Sequence, residues 1–335
     1  MIEGHGDDLY QYAGRIRANF SSNLTNWIDP APLREHLRER MGEVLSVYPE
    51  PRPRTLEARL AERAGMAAEN VRATNGATEA IYRIAEAFAG ARSLVLQPTF
   101  SEYADACRAH GHRVGALYHL PPNGRLPEGT DLLWLCNPNN PTGSVAEKEA
   151  LATLVERNRQ TRFVIDQSYE DFTLKTLFTA KEAAEYPNVL VIHSMTKRYA
   201  MPGLRLGYVT GPAGLLGQAL DRHQPWAVNG PAIAAGLFLT EHPEAMPFDL
   251  PGCLKETARL RKLLQATGQI EAWETDTHFL LGRLRNGQAS ALKRYLAEEH
   301  GILIRDASNF EGLDKTFFRV STQRPEDNDR LAEAI

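Results

Sequence analysis

Leu132-Leu133-Trp134-Leu135-Cys136-Asn137-Pro138-Asn139-Asn140-Pro141-Thr142-Gly143 joins five apolar residues to a loop that two prolines keep out of any regular ladder. The apolar run reads as a buried strand, so the asparagine loop lies at a strand's C-terminal end, where open α/β sheets bind their ligands. An asparagine amide there can donate to a phenolate oxygen. Further β-rich runs at 93–97, 163–165, 189–194 and 206–210 alternate with helix-patterned segments across residues 70–211. That alternation predicts a mostly parallel sheet covered by helices. Ile81, Ile84, Ala85 and Phe88 share one helical face directly after the small-residue turn Asn75-Gly76-Ala77-Thr78-Glu79, which exposes a helix N-terminus suited to an anion. From Ala232 the pattern turns helical, with a long helix over 257–266. Strands at 279–283, 302–305 and 317–321 are expected to build a smaller lobe.

The chain has 335 residues, 43% hydrophobic, which is long for one domain and enough for a large core. A large domain over 29–250 and a small one from 1–28 with 251–335 are expected. A formal net charge of -4 gives no broad basic surface, which argues against nucleic acid and anionic membranes as partners. Met1-Ile2-Glu3-Gly4-His5-Gly6 lacks the basic and apolar regions of a signal peptide, and no apolar run reaches membrane-spanning length, so a soluble cytoplasmic enzyme is expected. Cys107, Cys136 and Cys253 are widely spaced, without Cys-x-x-Cys pairs or clustered histidines, and predict neither a disulfide framework nor a metal site.

Two residues at strand ends carry the chemistry. Lys197, in Ser194-Met195-Thr196-Lys197, follows the apolar run 189–192 and is answered by Arg205 in Pro202-Gly203-Leu204-Arg205-Leu206-Gly207. A desolvated amine beside a phosphate-binding arginine suits an imine with pyridoxal phosphate. Asp166 ends Phe163-Val164-Ile165 and, partly buried, needs a cation such as a protonated pyridine nitrogen. At an effective dielectric of about 20, unit charges at 4 Å attract by roughly 4 kcal/mol, enough to hold such a ring protonated.

Asn137 to Gly143, Asp166 with Tyr169, Ser194 to Lys197, and Arg205 stand in the order and spacing of a known group. The chain resembles the fold-type I pyridoxal-phosphate enzymes, in the branch of histidinol-phosphate aminotransferase. The resemblance covers nearly the whole sequence. It implies an α/β fold in which a large domain with a mostly parallel seven-stranded sheet carries a smaller α+β lobe. It further implies that Lys197 holds the cofactor and moves a proton, that Asp166 pairs with the ring nitrogen, and that Asn140 and Tyr169 bond the phenolic oxygen. Phe100 is expected to stack on the ring; Ala77, Thr78, Ser194 and Arg205 to cradle the cofactor phosphate; and Tyr48 to reach the phosphate of a neighbouring subunit in a homodimer with shared active sites. Arg319 is expected to hold a substrate carboxylate through paired hydrogen bonds.

A closer likeness is carried by His5-Gly6-Asp7, Asn19-Phe20-Ser21-Ser22-Asn23, Gln224-Pro225-Trp226-Ala227-Val228-Asn229, and the stretch from Ile304-Arg305 through Asn309 to Asp314. It resembles members of the branch that decarboxylate L-threonine O-3-phosphate to (R)-1-amino-2-propanol phosphate in cobalamin biosynthesis. The phosphorylated amino acid then needs a cationic pocket, expected from Arg305 with His5 and the Ser21-Ser22-Asn23 segment, and Asn140 is expected to contact substrate as well as cofactor. Aminotransferase chemistry is the alternative, and a non-catalytic cofactor-binding module a more distant one. Two departures stand out. Asn23-Leu24-Thr25-Asn26-Trp27 lacks the branch's Asn-Pro, and Gln167 stands where glutamate commonly follows the aspartate.

Overall fold

Alternate residues of each central strand point into opposite helical layers, and this period-two burial decides which side chains can face a ligand. In the computed structural model, which describes residues 8–12, 14–222 and 224–335, Trp134, Cys136, Val164, Leu190 and Ile192 pack toward the helix Gly76–Ala87. Leu133, Leu135, Phe163, Ile165 and Val191 pack the other way, against the helices Lys148–Arg157 and Ala180–Glu185. Asp166 and Ser194 continue the first set by parity, so both fall on the side where the helix Gly76–Ala87 begins.

The sheet has seven strands, in the spatial order Val71–Thr74, Gly207–Thr210, Val189–Ser194, Arg162–Asp166, Leu132–Cys136, Arg92–Leu96 and Arg113–Leu117. The last five of these run parallel; Gly207–Thr210 is antiparallel to both of its neighbours. The expected strands are present, and 132–136 and 189–194 have the bounds read from the sequence. Val71–Thr74 and Arg113–Leu117 had no apolar run to announce them: both carry arginine, and the second is an edge strand with no fully buried residue.

A second, four-stranded antiparallel sheet runs Arg305–Asp306, Phe317–Ser321, Phe279–Leu284, Ile270–Ala272. Its core takes Leu260 and Leu264 from the helix Leu250–Ala266, and Ala18 and Phe20 from near the start of the chain. The segment 302–305, read as one strand, is two. Ile302–Leu303 pairs in parallel with Ala18–Asn19, and after Ile304 the chain changes partner so that Arg305 lies opposite Arg319. Among the described residues no helix is long and apolar enough to cross a membrane.

Candidate active site

The strand ends converge on a cleft of about 230 Å³ lined by Asn23, Ala77, Thr78, Phe100, Asn140, Asp166, Tyr169, Ser194, Lys197, Arg205 and Arg319. Eleven residues selected from the sequence thus meet at one place. Arg305 lines a smaller adjoining pocket that shares Phe100, Asn140 and Arg319 with the cleft. Tyr48 lies elsewhere: it is 86% exposed and its ring is 5.8 Å from that of Trp226. His5 lies outside the described residues.

At one end of the cleft, the strand Val71–Thr74 turns at Asn75 into the helix Gly76–Ala87, whose first turn brings Ala77 and Thr78 to the lining. Gly76 has φ +79°, and a Cβ there would stand 2.5 Å from Nη2 of Arg205, so glycine lets the guanidinium lie against the turn. Gly207 serves the same approach from the other side, where a Cβ would meet the Ala77 nitrogen at 2.8 Å. Arg205 itself takes φ +57° and donates from Nη1 to the Pro202 carbonyl at 3.0 Å.

Of the three asparagines in the loop 137–143, two hold the loop. Asn137 Oδ1 accepts from the Ala146 amide at 2.8 Å, and Asn139 bonds Thr99, the Pro98 carbonyl and Thr142. Asn140 is left to face the cleft, where its Oδ1 accepts from Nη1 of Arg319. The Ser21 carbonyl takes Nη2 of the same guanidinium, and Nε has no partner among the described residues. Arg319 is 4% exposed, and burial lowers its pKa to about 10. Neither amide atom of Asn23, which faces Tyr169, meets hydrogen-bond geometry with a described residue. A cleft lined by unsatisfied buried polar atoms is built for a polar ligand.

Asp166 is 4% exposed, and burial raises its carboxyl pKa; bonds from Ser168 and Tyr103 and the charge of Lys197 oppose that rise. The Ser168 amide donates to Oδ1 and the Tyr103 hydroxyl to Oδ2, each at 2.8 Å. Sequence reasoning missed Tyr103, Ser168 and Cys136, all lining the cleft. The spacing Phe100-x-x-Tyr103, one turn at a helix start, was the available signal for Tyr103. It also missed His278, a fully buried small-lobe residue stacked on Phe172 at 3.7 Å, with Nε2 3.3 Å from the Asn23 carbonyl.

A lysine and a carboxylate at neighbouring ends of a mostly parallel sheet, with a helix N-terminus beside them, define an enzyme of the fold-type I class. The chain belongs to the aminotransferase class I and II family, whose pattern matches residues 18–335. It is similar to the L-threonine-O-3-phosphate decarboxylase of Porphyromonas gingivalis, at 36% identity and a TM-score of 0.91, over 95% of this chain and 98% of that one. A protein of Caldanaerobacter subterraneus subsp. tengcongensis, provisionally named a threonine-phosphate decarboxylase, is 33% identical over 99% of this chain and 92% of its own length. A histidinol-phosphate aminotransferase of Desulfitobacterium hafniense is 28% identical over 96% of this chain and 91% of its own.

Proposed function

We propose that this chain is a pyridoxal-phosphate-dependent decarboxylase acting on L-threonine O-3-phosphate, yielding (R)-1-amino-2-propanol phosphate for cobalamin synthesis. The observation that carries the reading is the arginine pair. Arg305 and Arg319 are directly opposite in an antiparallel ladder and are 7% and 4% exposed. Like charges in that register repel, and no carboxylate of the described residues forms an ion pair with either. Burial lowers the pKa of both, so the fold holds two cations at a cost that an anionic ligand offsets. A substrate with a carboxylate and a phosphate supplies the two anionic groups. The likeness to threonine-phosphate decarboxylases supports the same choice.

Pyridoxal phosphate fits the cleft. Lys197 offers an amine for its aldehyde, Asp166 a buried carboxylate for its ring nitrogen, and Asn140 and Tyr169 donors for its phenolic oxygen. Phe100 offers a ring face, and the Ala77-Thr78 backbone with Ser194 and Arg205 offers donors for its phosphate. Bound there, the cofactor supplies an electron-poor ring that accepts the electron pair of the bond broken at the substrate α-carbon. The chain's own residues decide which bond that is. Arg319 is fixed in its plane by Asn140 Oδ1 and the Ser21 carbonyl, so the direction of the carboxylate it holds is fixed too. Arg305, with its Nη2 bonded to Asn309 Oδ1 at 2.8 Å, holds the phosphate and pins the far end of the molecule. Once carbon dioxide leaves, the Lys197 amine returns a proton to the α-carbon. The chain works in the cytoplasm as a homodimer, with Tyr48 of each subunit completing the neighbour's phosphate site.

Substrate binding tests the phosphate assignment. Arg305→Ala should weaken L-threonine O-3-phosphate about tenfold or more, while unphosphorylated threonine changes little. Equal losses for both ligands would remove Arg305 from the role.

A further inference from the structure

Both oxygens of Asp166 are engaged from the protein side. The backbone amide of Ser168 donates to Oδ1 and the Tyr103 hydroxyl to Oδ2, each at 2.8 Å, and the Ser168 side chain also bonds the carboxylate. Tyr103 is 1% exposed, in the first turn of the helix Glu102–Ala109. Its ring lies against Trp134, with centroids 6.0 Å apart and planes at 20°. The ring of Phe100 meets it edge-on at 5.8 Å. One side chain therefore fixes both the carboxylate at one wall of the cleft and the aromatic face at another.

We propose that Tyr103 is a positioning residue of this site: its hydroxyl holds Asp166 Oδ2, keeping the carboxylate ionised and oriented into the cleft, while its ring sets the plane of Phe100. The proposal rests on the reading of the cleft as a pyridoxal-phosphate site.

The electrostatics agree with the geometry. Burial pushes the Asp166 carboxyl toward its neutral form, which cannot pair with a protonated ring nitrogen. A hydrogen bond donated to the carboxylate opposes that push, and in a buried site such a bond is stronger than in water. The groups facing Asp166 are Tyr103 from the helix Glu102–Ala109, Cys136 from the neighbouring strand Leu132–Cys136, Lys197 from the helix Met195–Arg198, and Ser168 and Tyr169 from the turn that follows Asp166 itself. Burial raises the pKa of Tyr103, Cys136 and Tyr169 alike, so Tyr103 keeps its proton and remains a donor across the working pH range.

The test is the pH dependence of the dissociation constant for pyridoxal phosphate, measured by fluorescence titration of apoenzyme. Tyr103→Phe should weaken the cofactor about tenfold near neutral pH. Its loss of affinity on acidification should begin at a higher pH than in the wild type, because the carboxyl group, deprived of its donor, takes up a proton sooner. A 3-fluorotyrosine inserted at position 103 keeps the fold and is a stronger donor, so the same acid limb should move to lower pH. Trp134→Phe, which alters the packing on Tyr103 but not its hydroxyl, should leave the profile in place. A Tyr103→Phe profile superposing on the wild type, a fluorotyrosine shift in the same direction as the deletion, or a Trp134→Phe shift as large as either would overturn the proposal. A wild-type chain that binds no cofactor overturns the functional reading and this proposal with it.

Discussion

Asp166 ends the strand Arg162–Asp166 and Lys197 lies in the short helix that follows the neighbouring strand Val189–Ser194, and the proposed function gives them separable tasks: one amine moves a proton, one carboxylate keeps an electron-poor ring protonated. Lys197→Ala should abolish turnover altogether. Asp166→Ala should retain part of the cofactor and lose on the order of a hundredfold or more in kcat, since the charge it supplies is preorganised in a water-poor site. Absorbance of the bound cofactor and steady-state rates read the two effects apart; wild-type rates for Asp166→Ala would sink the pairing. At this scale the sequence was informative wherever a residue type is rare in its setting. A charged residue that ends an apolar strand, as Asp166 does, or follows one within a turn, as Lys197 does, needs a partner, and that need is visible without coordinates. Tyr103 and His278 were invisible for the opposite reason: an aromatic residue on a helix or strand reads as core, and only the fold reveals that the first donates to Asp166 and the second lies beneath Asn23. Gln167 departs from the usual glutamate; it is fully buried with neither amide atom bonded to a described residue, and nothing in the structure explains the change.

Among the elements, those with strong periodicity matched their sequence reading, and those that change partner did not. The central strands Leu132–Cys136 and Val189–Ser194 are buried on both faces and so are apolar throughout or nearly so. The segment 302–305 looked equally strand-like, but hydrophobicity cannot report that Leu303 and Arg305 serve different sheets. That switch is what sets Arg305 opposite Arg319. The strand Phe279–Leu284 carries a prediction of its own through its neighbour His278. Burial lowers the His278 pKa to about 3, with the Arg319 and Lys197 charges adding to it and the bond to the Asn23 carbonyl opposing. The unfolded chain takes up a proton near the ordinary histidine value while the folded chain does not, so stability falls as pH drops from about 6.5 toward 3. The loss is on the order of a few kcal/mol across that window. His278→Phe removes the titration and keeps a ring against Phe172, so the difference in urea midpoint between pH 7 and pH 5 should shrink. An undiminished difference would assign the acid sensitivity elsewhere.

For the whole molecule, the two larger sheets meet over the cleft: the seven-stranded sheet contributes Asp166 and leads into Lys197, and the four-stranded sheet contributes Arg319. A site made this way can sense substrate only when both parts are in place. Tyr48 stands well exposed beside Trp226, and the proposed homodimer has it reach the site of a second subunit. Mixing Lys197→Ala with Tyr48→Ala, each nearly inactive alone, should restore about a quarter of wild-type activity, because half of randomly paired dimers hold one intact site. Activity no greater than the sum of the separate preparations would confine the site to one chain.

The most direct measurement incubates the cofactor-loaded enzyme with L-threonine O-3-phosphate in the absence of any keto acid and follows carbon dioxide and amine together. The account predicts one carbon dioxide and one (R)-1-amino-2-propanol phosphate for each substrate consumed. No carbon dioxide, with amino transfer from histidinol phosphate once 2-oxoglutarate is supplied, would contradict it and make the enzyme an aminotransferase.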